Sequence, residues 1–207
     1  MLKTTGLAKT FEGKTLFKNI NLEVLPKDKI ALFGSKTATS ALLRCLAGLE
    51  RCSGVIEISG RKTHILQETP IFSSLTLWNR IACTPIIALG KKVSSTNRKT
   101  KQLLKLFKLQ ELANQSFSFL SETQKWYAEF IRVVMADVDI LIMDEIPVAP
   151  NAKIIDLFKS LFINRRLSLI FCTTNPDWSK ALANKSYTLT ADGEIIQNKS
   201  EEDDDDN

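Results

Sequence analysis

The feature that most constrains this chain is a short apolar strand that runs through a few polar residues into a leucine-faced helix. Lys29-Ile30-Ala31-Leu32-Phe33 reads as a buried strand ending at Gly34, Ser35–Thr39 as a polar loop, and Ser40–Leu49 as a helix with Leu42, Leu43, Leu46 and Leu49 on one face. Strand, small-residue loop and helix in that order aim backbone N–H groups and the positive end of a helix dipole at one point, which suits a phosphate.

The remaining elements alternate in the same way. Upstream, Lys14–Phe17 leads into the alternating run Ile20–Leu25, and Pro26-Lys27-Asp28 makes a turn. Downstream come a strand between Gly54 and Gly60 and another over Thr63–Gln67. Leu77 to about Asn114 carries a helical pattern, with Leu103, Leu104, Leu106, Phe107 and Leu109 apolar and Lys99, Lys101, Lys105 and Lys108 forming a wet face. A helix from Ser121 to about Ala136 is followed by the apolar strand Ile140–Met143, which ends in Asp144-Glu145. Helix (Ala152–Phe162), strand (Leu167–Cys172), helix (Asp177–Ala183) and a hairpin around Ala191-Asp192-Gly193 close the pattern. Strands and helices alternating at this length predict an α/β fold with a mostly parallel central sheet. The helical stretch 77–136 reads as an inserted subdomain.

Length and charge narrow the partners. At 207 residues, 44% of them hydrophobic, one globular domain over residues 1–200 is expected. No apolar run approaches the roughly 20 residues of a bilayer-spanning helix, and the start Met1-Leu2-Lys3-Thr4-Thr5 lacks the features of a secretory signal. A cytosolic-type compartment is therefore expected, with any membrane contact made through a partner. The net charge of +5 hides an asymmetry, because six acids sit in Glu201–Asp206; 28 basic residues against the other 17 acids leave +11 for residues 1–200. The acidic end reads as a disordered, solvating tail over 201–207. The lysines are dispersed and no nucleic-acid-binding motif accompanies them, so nucleic acid is not the expected partner. Cys45, Cys52, Cys83 and Cys172 lack metal-ligand spacing and read as reduced thiols.

Six landmarks in a fixed order carry a family resemblance. Leu42-Leu43-Arg44-Cys45-Leu46-Ala47-Gly48-Leu49-Glu50, shortly after the strand Ile30–Phe33, is similar to the helix that follows the phosphate loop of ABC transporter ATP-binding cassettes. Ile140–Met143 with Asp144 and Glu145 resembles the Walker B segment, and Leu120-Ser121-Glu122-Thr123-Gln124 lies upstream at the spacing of the LSGGQ signature. Gln67 resembles the Q-loop glutamine, which senses magnesium and contacts the membrane subunit. Phe11 stands where an aromatic stacks on adenine, the alternative being a core phenylalanine. Phe171-Cys172-Thr173-Thr174-Asn175 resembles the switch segment, with Thr174 in place of the γ-phosphate histidine; the single histidine, His64, is elsewhere.

The resemblance implies a P-loop NTPase-like cassette: a mostly parallel central sheet, an antiparallel N-terminal β subdomain and an inserted α-helical subdomain. It also implies ATP and Mg²⁺ as ligands, with Asp144 on the magnesium side, Glu145 as the base that polarises the attacking water, and Ser121 and Gln124 facing the nucleotide of a second cassette. The family's loop, G-x-x-G-x-G-K-S-T, is replaced here by Gly34-Ser35-Lys36-Thr37-Ala38-Thr39-Ser40-Ala41. Counting from Gly34 puts Thr39, Ser40 and Ala41 on Gly, Lys and Ser; counting back from the leucines puts Thr39 on the lysine and Ser40, a magnesium ligand, on the serine. Either way the lysine is missing, and a charge-assisted contact worth about 1.5–3 kcal/mol goes with it. Lys36 is either a substitute cation or a solvent-facing loop residue. Glu122 and Thr123 in place of the signature glycines weaken the second half-site.

The expectation is a cassette subunit with weak or lost ATP and magnesium binding, hydrolysis absent or very weak, and Glu145 a vestigial base. It would sit on the cytoplasmic or organelle-matrix face of a membrane, docked on a permease subunit and paired with a second cassette, for assembly or regulation of a transport complex. The alternatives are an ATPase-competent half of an asymmetric dimer, of which a haem-exporter-type cassette is one form, and a stand-alone nucleotide or nucleic-acid binding module.

Overall fold

The computed structural model describes residues 1–65, 74–136, 138–146, 149, 152–163 and 167–198. In chain order the elements are β1 (Leu2–Phe11), β2 (Lys14–Ile20), β3 (Glu23–Val24), β4 (Lys29–Gly34), α1 (Lys36–Ala47), β5 (Ser53–Ile58) and β6 (Lys62–Ile65). Then follow α2 (Leu77–Cys83), α3 (Val93–Leu106), α4 (Glu122–Ala136), β7 (Ile140–Met143), α5 (Ala152–Ile163), β8 (Ser168–Cys172), α6 (Pro176–Leu182), β9 (Lys185–Leu189) and β10 (Ile195–Gln197). They group into two compact units, one of Met1–Leu66 with Asp139–Asn207 and one of Gln67–Val138.

The first unit holds two sheets. In one, β1 pairs antiparallel with β2, β3 and β5. The other has the order β10-β9-β4-β8-β7-β6, all neighbours parallel except β10 on β9. Strands β7 and β8 are buried along their whole length, which explains why Ile140–Met143 and Ser168–Cys172 read as unbroken apolar runs rather than alternating ones. Leu42, Leu43 and Leu46 of α1 are fully buried and share a core with Leu32, Ile140, Ile142 and Ile170. Leu49, assigned to the same face from the sequence, is 44% exposed. The helix stops before it: Gly48 adopts φ 79°, and the N–H groups of Gly48 and Leu49 return to the carbonyls of Cys45 and Arg44. That is a Schellman cap, which glycine closes without the steric penalty of a Cβ.

The expected strand Ile20–Leu25 is also divided. Asn19 takes φ 49°, β2 ends at Ile20, and the side chain of the exposed Asn21 accepts the Gly6 N–H at 2.9 Å. Only Glu23–Val24 resumes pairing, against Leu2 and Lys3.

Within the second unit, the long helical stretch is broken rather than continuous. A π-helical turn at Thr84–Ala88 with Pro85 in its first turn follows α2, α3 ends at Leu106, and two 3₁₀ turns lead to α4. Leu103, Leu104, Phe107 and Leu109 are buried as expected, whereas Leu106 is half exposed. Trp126 stacks on Phe130 at 5.4 Å, and Phe107 meets Tyr127 at 5.2 Å. Among the described residues, no helix is long and apolar enough to cross a membrane.

An ion-paired node fastens the end of α1 to β1. Lys9 Nζ lies 2.7 Å from Glu50, which also pairs with Arg44. The hydrogen bond from Lys9 lowers the Glu50 carboxyl below its ordinary value; partial burial opposes the shift, and Arg44 adds to it. A carboxyl depressed in the folded state stabilises above its unfolded pKa, and that contribution disappears as pH falls through the folded value. Glu50→Gln should therefore lower stability at neutral pH by about 0.5–1 kcal/mol, with the gap to the native chain closing below about pH 4 in thermal unfolding followed across pH.

Candidate nucleotide-binding site

The C-terminal ends of β4, β7 and β8 lie side by side in one parallel sheet, the usual place for a ligand in such folds, and each carries a piece of the candidate site. Strand β4 ends at Gly34 with φ 141°, where an added Cβ would lie 2.7 Å from the Leu189 carbonyl oxygen. Only Ser35 separates this strand from α1. Its backbone is extended and its hydroxyl caps the helix, accepting the Ala38 N–H at 3.3 Å.

The loop expected over Ser35–Thr39 is therefore a single cap residue followed by a helical turn. The Thr39 N–H bonds to the Ser35 carbonyl at 3.0 Å, and the Thr39 hydroxyl turns back to the carbonyls of Ser35 and Lys36. The physical reason is that residues 35–47 contain no glycine, while Lys36, Ala38 and Ala41 favour helix once Ser35 supplies a cap. Gly34, Ser35, Lys36 and Thr37 are exposed; Ala38, Thr39 and Ala41 are buried and Ser40 is half-buried.

At the end of β7, Asp144 is 6% exposed and satisfied from several directions. The Ser40 hydroxyl donates to it at 3.2 Å, the Cys172 thiol at 2.8 Å and the Glu145 N–H at 2.9 Å. Burial, reinforced by Asp144, pushes the Cys172 thiol far above its ordinary value and keeps it protonated as a donor. Glu145 is more open. Thr174 donates to its Oε1 at 2.6 Å, and Lys36 Nζ lies 3.6 Å from its Oε2. Gly34, Lys36, Thr39, Glu145, Thr173 and Thr174 line a cleft of about 240 Å³, counted to its open mouth.

Phe11 is 57% exposed at the tip of the β1–β2 hairpin, so it is not a core residue. Its turn, Glu12-Gly13, has φ of 50° and 77°, the left-handed pair that a two-residue hairpin needs. Gln67 lies outside the described residues. His64 sits on β6, in register with Ile142.

In the second unit, Ser121 and Gln124 cap α4 reciprocally. The Gln124 side chain accepts the Ser121 N–H at 2.9 Å, and the Ser121 hydroxyl accepts the Gln124 N–H at 3.3 Å. This is a capping box, with Glu122 beside the helix start and paired to Lys125 at 2.7 Å. Cys172 on Asp144 had no counterpart among the sequence motifs, because a thiol in an apolar strand carries no local signal. The early start of α1 did have one: a serine ahead of a glycine-free run.

A parallel sheet with a capped helix at the end of β4 and two consecutive carboxylates at the end of β7, on either side of β8, defines an α/β protein of the nucleotide-binding cassette class. The family model for ABC transporters matches residues 17–148, and the chain belongs to that family. It is 28% identical over 199 residues to an ABC transporter ATP-binding protein of Haemophilus influenzae, covering 91% of this chain and 82% of the relative. The aliphatic sulfonates import ATP-binding protein SsuB of Delftia acidovorans is 26% identical, with 93% and 80% covered. Among solved structures, the ATP-binding subunit of an ABC transporter superposes with a TM-score of 0.84 at 15% identity, over 98% of this chain and 91% of that one. A nucleotide-free cassette superposes at 0.75 and 17% identity, over 98% and 92%.

The cap on α1 is directly testable. Ser35→Ala should lower stability to chemical denaturation by about 1 kcal/mol, and Ser35→Asp should retain most of it.

Proposed function

We propose that this chain is a cassette subunit of an ABC transporter that grips ATP weakly, hydrolyses it poorly or not at all, and docks on a membrane permease subunit to serve assembly or regulation of the complex. The observation that carries this reading is the first turn of α1. Amides that an open loop would leave free for phosphate begin to be used inside the helix at Thr39, and Thr39 itself is 2% exposed with a hydroxyl bonded to the backbone. Contact between Ser40 and Asp144 favours the alignment that sets Ser40 on the family's serine and Thr39 on its lysine.

Ser40 and Asp144 offer oxygens only 3.2–3.3 Å apart, a donor set that fits magnesium. Bound there, the ion would supply charge neutralisation to the phosphates. Asp144 is already satisfied by protein donors, which lessens its need for the ion and supports weak binding. Glu145, the vestigial base, has one oxygen on Thr174 and the other near Lys36, so its carboxylate is occupied rather than aimed at a water. Among the described residues, no cluster of three or more His, Cys, Asp or Glu side chains offers another metal site.

Phe11, exposed at its hairpin tip, is free to stack on a base. Ser121 and Gln124 are assigned to the nucleotide of a second cassette; Gln67 is assigned to the magnesium shell and the permease. We assign the chain to one nucleotide-binding domain over 1–200, with the helical unit as its insertion and 201–207 as an acidic tail. Relatives named for import of sulfonates, sulfate or spermidine favour an importer over a haem-exporter assembly.

Phosphate release from ATP·Mg²⁺ tests the reading. The native chain should release phosphate no faster than Glu145→Gln; a native rate that this substitution abolishes would refute the loss of hydrolysis.

A further inference from the structure

A helix start and a lysine bring positive charge to the cleft, and the lysine faces one of its carboxylates. Lys36 is the first residue of α1, a 12-residue helix with no acidic residue in its first turn. A cation there adds to the positive end of the helix dipole instead of balancing it. The anion that answers the ammonium is Glu145, whose Oε2 lies 3.6 Å from Lys36 Nζ. At that distance the two charges attract, but the geometry is too long for a good hydrogen bond. With the Lys36 side chain 60% exposed and Glu145 29% exposed, solvent screens the pair and it opens readily. Thr174 holds the other oxygen of Glu145 at 2.6 Å, so the carboxylate stays in place if the lysine leaves.

The geometry points to Lys36 as an exchangeable phosphate cation: a polyphosphate entering the cleft takes the Lys36 ammonium away from Glu145, so anion binding and release of Glu145 are one event. The inference rests on the weak-grip reading above and gives it a cause, since phosphate and carboxylate compete for a single ammonium. A phosphate oxygen offers the shorter, charge-assisted contact that the present pair lacks, beside the N–H groups of the first helical turn. The ligand class is the polyphosphate itself, recognised by charge, with no base needed.

Removing Glu145 would act in two ways, by deleting a like charge facing the anion and by freeing Lys36. Only the second effect depends on Lys36, so a double-mutant cycle separates them. The full chain is titrated calorimetrically with inorganic tripolyphosphate without magnesium, and circular dichroism checks that each variant is folded. Lys36→Met should weaken binding about tenfold or more. Glu145→Gln should tighten it about two- to fivefold in the native background and distinctly less in the Lys36→Met background, where only the lost repulsion remains. Equal tightening in both backgrounds would reduce the effect to bare repulsion and overturn the inference. So would native affinity in Lys36→Met, or an absence of tripolyphosphate binding by both the native chain and Glu145→Gln. ATP turnover bears on the hydrolysis reading alone; the coupling in the cycle decides this one.

Discussion

The single-residue link between β4 and α1 governs the rest of the site. Because Ser35 caps the helix immediately after Gly34, the chain enters α-helix at Lys36 instead of wrapping an open loop. An anion cradle is made of backbone N–H groups without intrahelical acceptors. Once Thr39 N–H is bonded to Ser35, only the first turn of that cradle is left. The sequence removes the lysine side chain, and the conformation that the same residues favour removes free amides as well.

The same conformation sets the partners of the two carboxylates. It carries Ser40 to Asp144 and leaves Lys36 at the rim, within reach of Glu145. Asp144 is then held by a hydroxyl, a thiol and a backbone amide, which removes the penalty that a buried, unpaired carboxylate would carry. Glu145 is held at both oxygens by Thr174 and Lys36. A site of this kind is stable empty. The fold around it is held by the fully buried strands β7 and β8 and the leucine face of α1, none of which needs a nucleotide to assemble.

Much of the architecture was legible because burial writes itself into periodicity. Ile140–Met143 and the leucines of α1 announced a parallel sheet under a helix, and the order of imperfect landmarks announced the family. Boundaries were less legible where a cap decides them. Leu49 fits the apolar stripe of α1 yet lies beyond the Gly48 cap, and Leu106 fits that of α3 yet is half exposed at its last turn. The polar run Ser35–Thr39 read as a loop because its residues are mostly small and polar, although a serine ahead of a glycine-free run favours a capped helix. The contact between Cys172 and Asp144 joins strands 28 residues apart in sequence and could not be seen until β7 and β8 were paired.

Amide hydrogen exchange at Thr39 and Ser40, measured on the nucleotide-free chain, addresses the start of α1 most directly. A helix beginning at Lys36 predicts that both amides are protected to the same degree as those of Leu42 and Leu43. Rapid exchange at Thr39 and Ser40, slowed only when ATP is added, would show an open loop that closes on phosphate and would contradict the account.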